Sequence, residues 1–161
     1  MLASNVDQCV PEFQSLVTGN NYDHLQLVQG IPFPYFLKKL HELGPLYLGD
    51  KTTAYAELHV EGIDKPFWVH KEYLELQSSF FCEIFENVYN GDVVTISIPS
   101  PDTFEAILEF LYDGNGKKWY KSITKDNYYS VWQNVEYLGL SPEAQSICLD
   151  FYQNEIECSD Y

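Results

Sequence analysis

The sequence predicts an α+β fold, in which a few strands cluster in the middle of the chain and helices follow them. Two stretches, 54–60 and 93–98, alternate apolar and polar residues with a period of two. Most of the rest of the chain spaces its apolar residues at helical intervals, and these helices come in runs instead of alternating with strands. The 161 residues are 45% hydrophobic and 16% aromatic, which is enough for one compact core.

The net charge indicates which classes of partner the protein is expected to bind. Acidic residues number 24 against 9 basic ones, for a net charge of -15. Such a surface repels nucleic-acid phosphates and anionic lipids, so protein partners are expected, and neither nucleic acid nor a membrane. No apolar run is long enough to cross a bilayer, and no secretory signal is recognised. The widely spaced cysteines predict reduced thiols in an intracellular protein of the cytoplasm and/or nucleus. They are Cys9, Cys82, Cys148 and Cys158.

Two segments precede the strands. Residues 1–30 are polar without a sustained period, which predicts a flexible or loosely docked N-terminal arm. Residues 31–53 are interpreted as an amphipathic helix, stopped by Gly44-Pro45, and a linker. The apolar stripe of this helix consists of Phe36, Leu37, Leu40 and Leu43.

The first strands form a predicted hairpin, and two short helices follow it. The alternating stretch that ends at Val60 is joined to Phe67-Trp68-Val69 by the turn sequence EGIDKP. Helices are predicted around Lys71–Leu76 and Ser78–Asn87, the second with Ser78 as its N-cap. Its predicted core face comprises Phe81, Ile84, Phe85 and Val88.

A third strand, VVTISIP, leads into the best-marked helix, SPDTFEAILEFLYDG. Ser100 is the predicted N-cap, Pro101 occupies the first helical position, and Gly114 ends the helix. The segment GNGKKWYKSITK is interpreted as a loop, either partner-contacting or a local salt-bridged patch. Two more helices are predicted, one over Asp126–Leu138 and one that starts at Ser141.

No constellation of residues predicts catalysis. Cys82 is expected to be a buried structural thiol, and His70 to satisfy backbone groups at a strand-to-helix turn. A cysteine-dependent enzyme that uses Cys82 and His70 is the remote alternative. The histidines lack the spacings of a zinc site, so neither a metal nor a cofactor is expected.

Five motifs in order resemble the BTB/POZ family of protein-interaction domains. They are LHVEG; FWVHKEYL, similar to Phe-x-x-His-Lys-x-x-Leu; SSFFCEIF, similar to Ser-x-x-Phe-x-x-x-Phe; ISI with the helix that ends in FLYDG; and VEYLGL with Cys148. The resemblance places a BTB-like domain at 54–157 and implies a helical cluster capped by a small, mostly three-stranded sheet.

The resemblance also implies function. Members of the family are not enzymes; they self-associate or recruit partners, often as substrate adaptors of cullin-RING ubiquitin ligases and elsewhere as oligomerisation modules of transcription regulators. A homodimer and a cullin scaffold are therefore the expected partners. The implied cullin-facing residues are Glu86, Val88, Tyr89, Asn90, Tyr112 and Asp113. The implied self-association residues are Phe36, Leu37, Leu40, Leu43, Tyr55 and Lys71.

Two positions depart from the family pattern. Tyr55 stands where dimerising members carry an Asp that pairs with the cation after the histidine, so Lys71 is expected to face solvent or to pair elsewhere. Asn90 stands where the hydrophobic-x-Glu motif of cullin-binding members has its Glu.

Overall fold

The computed structural model describes residues 17–18, 27–28 and 31–158, with side chains from residue 32 onward. This part of the chain contains seven α-helices and two three-stranded sheets. The strands are β1 Val17–Thr18, β2 Leu27–Val28, β3 Ile31–Pro32, β4 Ala56–Val60, β5 Phe67–Val69 and β6 Val93–Ile96. The helices are α1 Phe33–Tyr47, α2 Lys71–Glu75, α3 Ser79–Ile84, α4 Phe104–Asp113, α5 Gly116–Ser122, α6 Tyr128–Leu138 and α7 Pro142–Phe151. Short 3₁₀ turns at Phe85–Asn87 and Pro101–Thr103 and a π-helical turn at Tyr152–Glu157 complete the described elements.

The main sheet has the order β5-β4-β6, which confirms the predicted hairpin and third strand. β4 pairs antiparallel with β5 and parallel with β6, in a register that joins Glu57 to Val93 and Val60 to Ile96. Along β4 the buried and half-buried side chains alternate, as a half-buried strand requires. The α+β class and the helical cluster with a small sheet are thus both present. The predicted arm over 1–30 lies mostly outside the described residues; β1 and β2, which fall within it, pair antiparallel with each other, and β2 pairs with β3.

The first helix is longer than the sequence predicts, because Gly44-Pro45 does not stop it. α1 continues to Tyr47 with Pro45 inside its last turn, where a missing N–H costs only one hydrogen bond. The helix then closes with the Leu48 N–H donating to the Gly44 carbonyl at 2.9 Å. Gly44 is buried against α4, and a Cβ at this position would collide with the Tyr112 carbonyl oxygen. The glycine therefore permits close packing of α1 on α4 instead of ending the helix.

The predicted loop after α4 is also wrong, because it contains the helix α5. Asn115 caps α5 by accepting a hydrogen bond from the Lys118 N–H at 3.1 Å. Trp119 lies in the core and stacks on Phe110 with ring centroids 4.7 Å apart. The anchored indole and the cap hold seven residues as a helix although the segment has little apolar periodicity.

Most predicted helix ends are confirmed, and one is not. Ser78 and Ser141 cap α3 and α7 through their side chains, and Gly114 ends α4 in the left-handed conformation at φ 65°. The Ser100 side chain does not cap a helix. Instead the Ser100 N–H donates to Asn134 Oδ1 at 3.0 Å, and its carbonyl accepts from Asn134 Nδ2 at 2.6 Å.

The core lies between the inner face of the main sheet and the helices. Of the core face predicted for the helix capped by Ser78, Phe81 and Phe85 are buried, whereas Ile84 and Val88 are half-buried. Phe67, Val69 and Leu74 of the hairpin and α2 are also buried.

Candidate interaction surface

The outward side of α1 presents a run of large apolar side chains. Tyr35, Leu43 and Leu46 are 51%, 44% and 72% exposed. Their spacing of eight and three residues places them on one side of the helix. We call these three residues the α1 outer face. Lys39 lies over the Tyr35 ring, 5.4 Å from its centroid, so the ring is covered on one side by a flexible cation.

The inward side of α1 anchors the helix to the rest of the domain. Three of the predicted self-association residues, Phe36, Leu37 and Leu40, are partly buried on this side. The Tyr73 hydroxyl donates to the Leu40 carbonyl at 2.6 Å, and the His41 ring lies close to Gly114 at the end of α4. The same helix therefore has a docked side and a free apolar side within the described structure.

Lys71 does not face solvent; it is paired inside the chain, which was the other expectation. Only 4% of the residue is exposed, and its Nζ lies 3.8 Å from Glu75 Oε1, one helical turn along α2. The Nζ also lies over the Tyr55 ring, 4.9 Å from the centroid. The face of the Tyr55 ring thus adds to the interactions of the buried Lys71 cation. Its hydroxyl donates to the Val88 carbonyl at 3.0 Å, which ties the start of the sheet to the turn before β6.

His70 belongs to a buried hydrogen-bond chain. The Tyr112 hydroxyl accepts from the His70 backbone N–H at 2.7 Å and lies 2.8 Å from Nδ1. Because that oxygen already accepts the backbone proton, its own proton is available for Nδ1, which assigns the ring as neutral with its proton on Nε2. Nε2 lies 2.8 Å from Thr53 Oγ1, which in turn is 3.1 Å from Asp50 Oδ2.

Burial is the main cause of the pKa shifts of His70 and Tyr112 in this series of hydrogen bonds. Burial lowers the pKa of His70 below its ordinary 6.5, and the nearby charge of Asp50 opposes this only in part. Burial also raises the pKa of Tyr112, so its hydroxyl stays protonated. The expectation that the His70 ring satisfies backbone groups of the turn is wrong: both ring nitrogens lie beside side-chain hydroxyls, and the ring makes no helix-cap hydrogen bond.

Cys82 corrects the prediction that all four cysteines are reduced thiols. It is 5% exposed and disulfide-bonded, with its partner outside the described residues. Cys148 and Cys158 are free thiols, and Cys9 lies outside the described residues. A cysteine held in a disulfide is not a nucleophile, and His70 is engaged by Tyr112 and Thr53, so this geometry gives the remote Cys82–His70 enzyme no support.

The predicted cullin-facing residues separate into two places. Glu86, Tyr89 and Asn90 are exposed in the turn between α3 and β6, where Tyr89 reaches 71% exposure. Val88 in the same turn is half-buried. At the other place, Tyr112 is fully buried, so its side chain offers no area to a partner.

Asp113, the last member of that set, belongs to a salt-bridged patch with α5. Lys118 Nζ lies 3.2 Å from Glu109 Oε1 and 3.3 Å from Asp113 Oδ2. These contacts raise the pKa of Lys118, first through the hydrogen bond with Glu109. The sequence analysis left two interpretations of this basic segment, a partner-contacting loop or a local salt-bridged patch. The Lys118 distances fit the salt-bridged patch.

Two structural residues escaped the sequence interpretation. Asn134 is fully buried in α6, between Val131 and Val135 on the core face, and it bonds both backbone groups of Ser100 as well as Thr103 Oγ1. A polar residue inside an apolar stripe is the signal that could have revealed it. Gly44 carries no such signal, because only the position of α4 makes it necessary.

None of the helices described is long and apolar enough to cross a membrane. Within the described residues, no group of three or more His, Cys, Asp or Glu side chains could hold a metal ion.

In the part of the chain that the structure describes, a small mixed sheet packs on a helical cluster, and one helix presents exposed apolar side chains. A family model for the BTB/POZ domain matches residues 51–155, which is more than half of the chain. The chain therefore belongs to the BTB/POZ family, whose domains are generally non-catalytic modules for protein–protein interaction.

The solved structures agree on the fold. A set of 105 chains matches this one, among them the BTB domain of zebrafish PATZ1, with a TM-score of 0.54. That match has 20% sequence identity and covers 75% of this chain and 91% of the PATZ1 chain. At this identity the likeness concerns the fold alone. No curated protein matches the sequence.

Proposed function

We propose that this chain is a non-catalytic interaction module of BTB type that self-associates through the α1 outer face and recruits protein partners. The observation that carries the proposal is the exposure of Tyr35, Leu43 and Leu46 on a helix whose other side is docked on the domain. An exposed apolar helix face is most readily covered by a second helix face, and in a self-complementary dimer each copy covers the other. The family supports the class of function.

The proposed surface differs from the residues first implied by the family. Leu43 is retained, and Tyr35 and Leu46 are added because they are the exposed apolar residues on the same side. Phe36, Leu37 and Leu40 support the helix from within. Lys71 and Tyr55 pair with each other, so the proposed contact does not depend on them. They are proposed to hold the fold and not the dimer.

Self-association is tested by light scattering over a range of protein concentrations. The mass is expected to rise from monomer to dimer, and Leu46→Glu should weaken the dimer by on the order of tenfold or more, since it places a charge in an apolar contact. Leu149→Glu on α7 is the matched control, because Leu149 is 50% exposed on a different helix. A mass that stays monomeric at every concentration would remove self-association from the proposal.

A second candidate is recruitment of a cullin scaffold through the turn that holds Glu86, Tyr89 and Asn90. The observation in its favour is the 71% exposure of Tyr89, an amphipathic side chain of the kind enriched at interface hot spots. A pull-down with a purified cullin N-terminal domain is expected to capture the chain and to lose it with Tyr89→Ala. The matched control is Tyr129→Ala, at 61% exposure on α6. Equal capture of both variants would show that the cullin contact does not depend on Tyr89.

We further place the protein inside the cell, where BTB proteins typically reside. Microscopy of a tagged chain should show it in the cytoplasm and/or nucleus, and secretion into the medium would contradict the placement.

A further inference from the structure

The outer edge of β6 presents main-chain groups that no described residue pairs with. The Glu57 N–H donates to the Asp92 carbonyl at 3.0 Å, and the Glu61 N–H donates to the Ile96 carbonyl at 2.9 Å. Successive residues of a strand point their main-chain groups to opposite sides, so the groups of Val93 and Thr95 point away from β4. The order β5-β4-β6 leaves this side of β6 at the edge of the sheet. The unpaired main-chain groups of this edge are positioned to form hydrogen bonds with one additional strand.

The side chains along this edge suit an added strand on both of its faces. Val93 is 63% exposed on the outer face of the sheet, beside Glu57 in the parallel register. Thr95 and Ser97 follow on that face and are also exposed. Val94 is half-buried on the inner face. An added strand would therefore bury an apolar residue on each face while it completes the main-chain hydrogen bonds.

The charge around the edge selects the chemistry of the occupant. The segment 72–116, which contains β6, has nine acidic residues and neither lysine nor arginine. Asp92 and the exposed Glu86 lie before the strand, and the exposed Glu61 lies beside its end. A second copy of this chain, with its own charge of -15, would bring acid against acid. A cationic strand is attracted at both ends.

We propose that the outer edge of β6 binds an extended basic segment of a partner protein by strand addition, with apolar residues at alternate positions. The inference names the class of partner for the recruitment function proposed above and uses a surface separate from the α1 outer face. Affinity comes from the main-chain bonds and the buried valines, and selectivity from the acidic residues at the two ends of the strand.

The test uses a synthetic peptide of about eight residues that alternates lysine with valine, titrated against the full chain. Binding should weaken as salt is added and should slow hydrogen exchange of the amides of Val93, Thr95 and Ser97. A peptide with glutamate in place of lysine should not bind. Protection of the same amides that rises with protein concentration and without peptide would assign the edge to a second copy and overturn the proposal.

Thr95→Pro is the decisive variant. Because the Thr95 N–H points outward, proline removes a donor for the peptide without removing a bond to β4, as edge strands tolerate. Binding of the lysine–valine peptide should weaken on the order of tenfold or more, while Thr95→Ala should bind as the parent does. Val93→Lys is a second variant that keeps the backbone and should weaken binding through charge repulsion. Undiminished binding to both Thr95→Pro and Val93→Lys would overturn the proposal.

The test separates this inference from the function on which it rests. Leu46→Glu should lose self-association and keep the peptide, whereas Thr95→Pro should lose the peptide and keep self-association. If the peptide fails to bind while the chain still dimerises, the strand-addition inference is wrong and the self-association proposal is unaffected.

Discussion

His70 and Lys71 are neighbours in the chain and are buried almost equally, at 6% and 4% exposure, yet they are accommodated in opposite ways. His70 is neutral, and its ring nitrogens lie within hydrogen-bond distance of Tyr112 and Thr53 hydroxyls. Lys71 brings a cation into the interior and places it between a carboxylate and the face of an aromatic ring.

The His70 and Lys71 sites differ in the free energy that is lost when one interacting group is removed. A neutral network loses one hydrogen bond at a time, at a cost of about 1–3 kcal/mol for each buried group left without a partner. An ion pair depends on both members, because removal of one leaves a buried charge. The two sites should therefore respond differently to substitution and to pH.

The largest effect is expected from Lys71→Ala. It removes the cation that lies 3.8 Å from the fully buried Glu75 carboxylate and should lower the free energy of unfolding by about 3–5 kcal/mol, measured by urea denaturation. The double variant Lys71→Met with Glu75→Leu should recover most of this loss, because it removes both charges. If the double variant is as unstable as Lys71→Ala, packing rather than charge pairing explains the effect. Lys125→Ala, at an exposed site, is the control.

A smaller loss is expected from Tyr112→Phe. The lost hydroxyl accepts from the His70 N–H and bonds Nδ1, so the free energy of unfolding should fall by about 2 kcal/mol while the ring stacked on Tyr73 stays in place. Tyr129→Phe, at an exposed position, should change stability by less than about 0.5 kcal/mol. Equal effects of the two substitutions would mean that the network contributes nothing.

The pH dependence should separate the neutral site from the charged one. The folded pKa of His70 lies below its unfolded value of 6.5, so the unfolded chain binds the extra proton first and stability is lost as pH falls below 6.5. The pKa of Asp50 is lowered, chiefly by its hydrogen bond with Thr52, so its own contribution is lost only below its ordinary 3.8.

A variant isolates the histidine. His70→Asn keeps an acceptor near the Nδ1 position and cannot be protonated, so its stability should fall less steeply than that of the parent between roughly pH 7 and 5. All other ionisable residues are the same in the two proteins, so their contributions cancel in the comparison. Denaturation at a series of pH values measures it, and identical slopes would show that His70 is not the group responsible.

The smallest effect concerns the Tyr55 ring. Tyr55→Phe loses only the hydroxyl bond to Val88, whereas Tyr55→Leu also loses the ring face over Lys71. The second substitution should cost about 1 kcal/mol more than the first. If Tyr55→Leu is no worse than Tyr55→Phe, the ring does not stabilise the cation.

Much of the fold could be predicted from periodicity and helix-end signals. The alternation from Ala56 to Val60, the caps at Ser78 and Ser141 and the stop at Gly114 are local properties, and the structure confirms them. The errors at Pro45 and at Trp119 share one cause. In both places a tertiary contact outweighs a local signal: the fit of Gly44 against α4, and the burial of the indole on Phe110.

The candidate surface was less predictable than the fold. A helical period identified the stripe of α1 but not the exposure of each side chain, so Leu46, the most exposed large apolar residue of the helix, was not among the expected interface residues. Exposure depends on the position of α4, which periodicity does not contain. Likewise, the sequence shows that position 55 carries no acidic residue. It does not show that the Lys71 ammonium lies over the Tyr55 ring.

The sequence by itself determined the α+β class, the order of the main-sheet strands and of most helices, and the membership of a family of interaction domains, because these follow from short-range spacing and ordered motifs. Only the tertiary structure decided which apolar side of α1 is exposed among the described residues, which groups surround the charge of Lys71, and that no described residue pairs with the outer edge of β6. These properties depend on which elements meet, and contacts between segments distant in the chain leave no periodic trace in it.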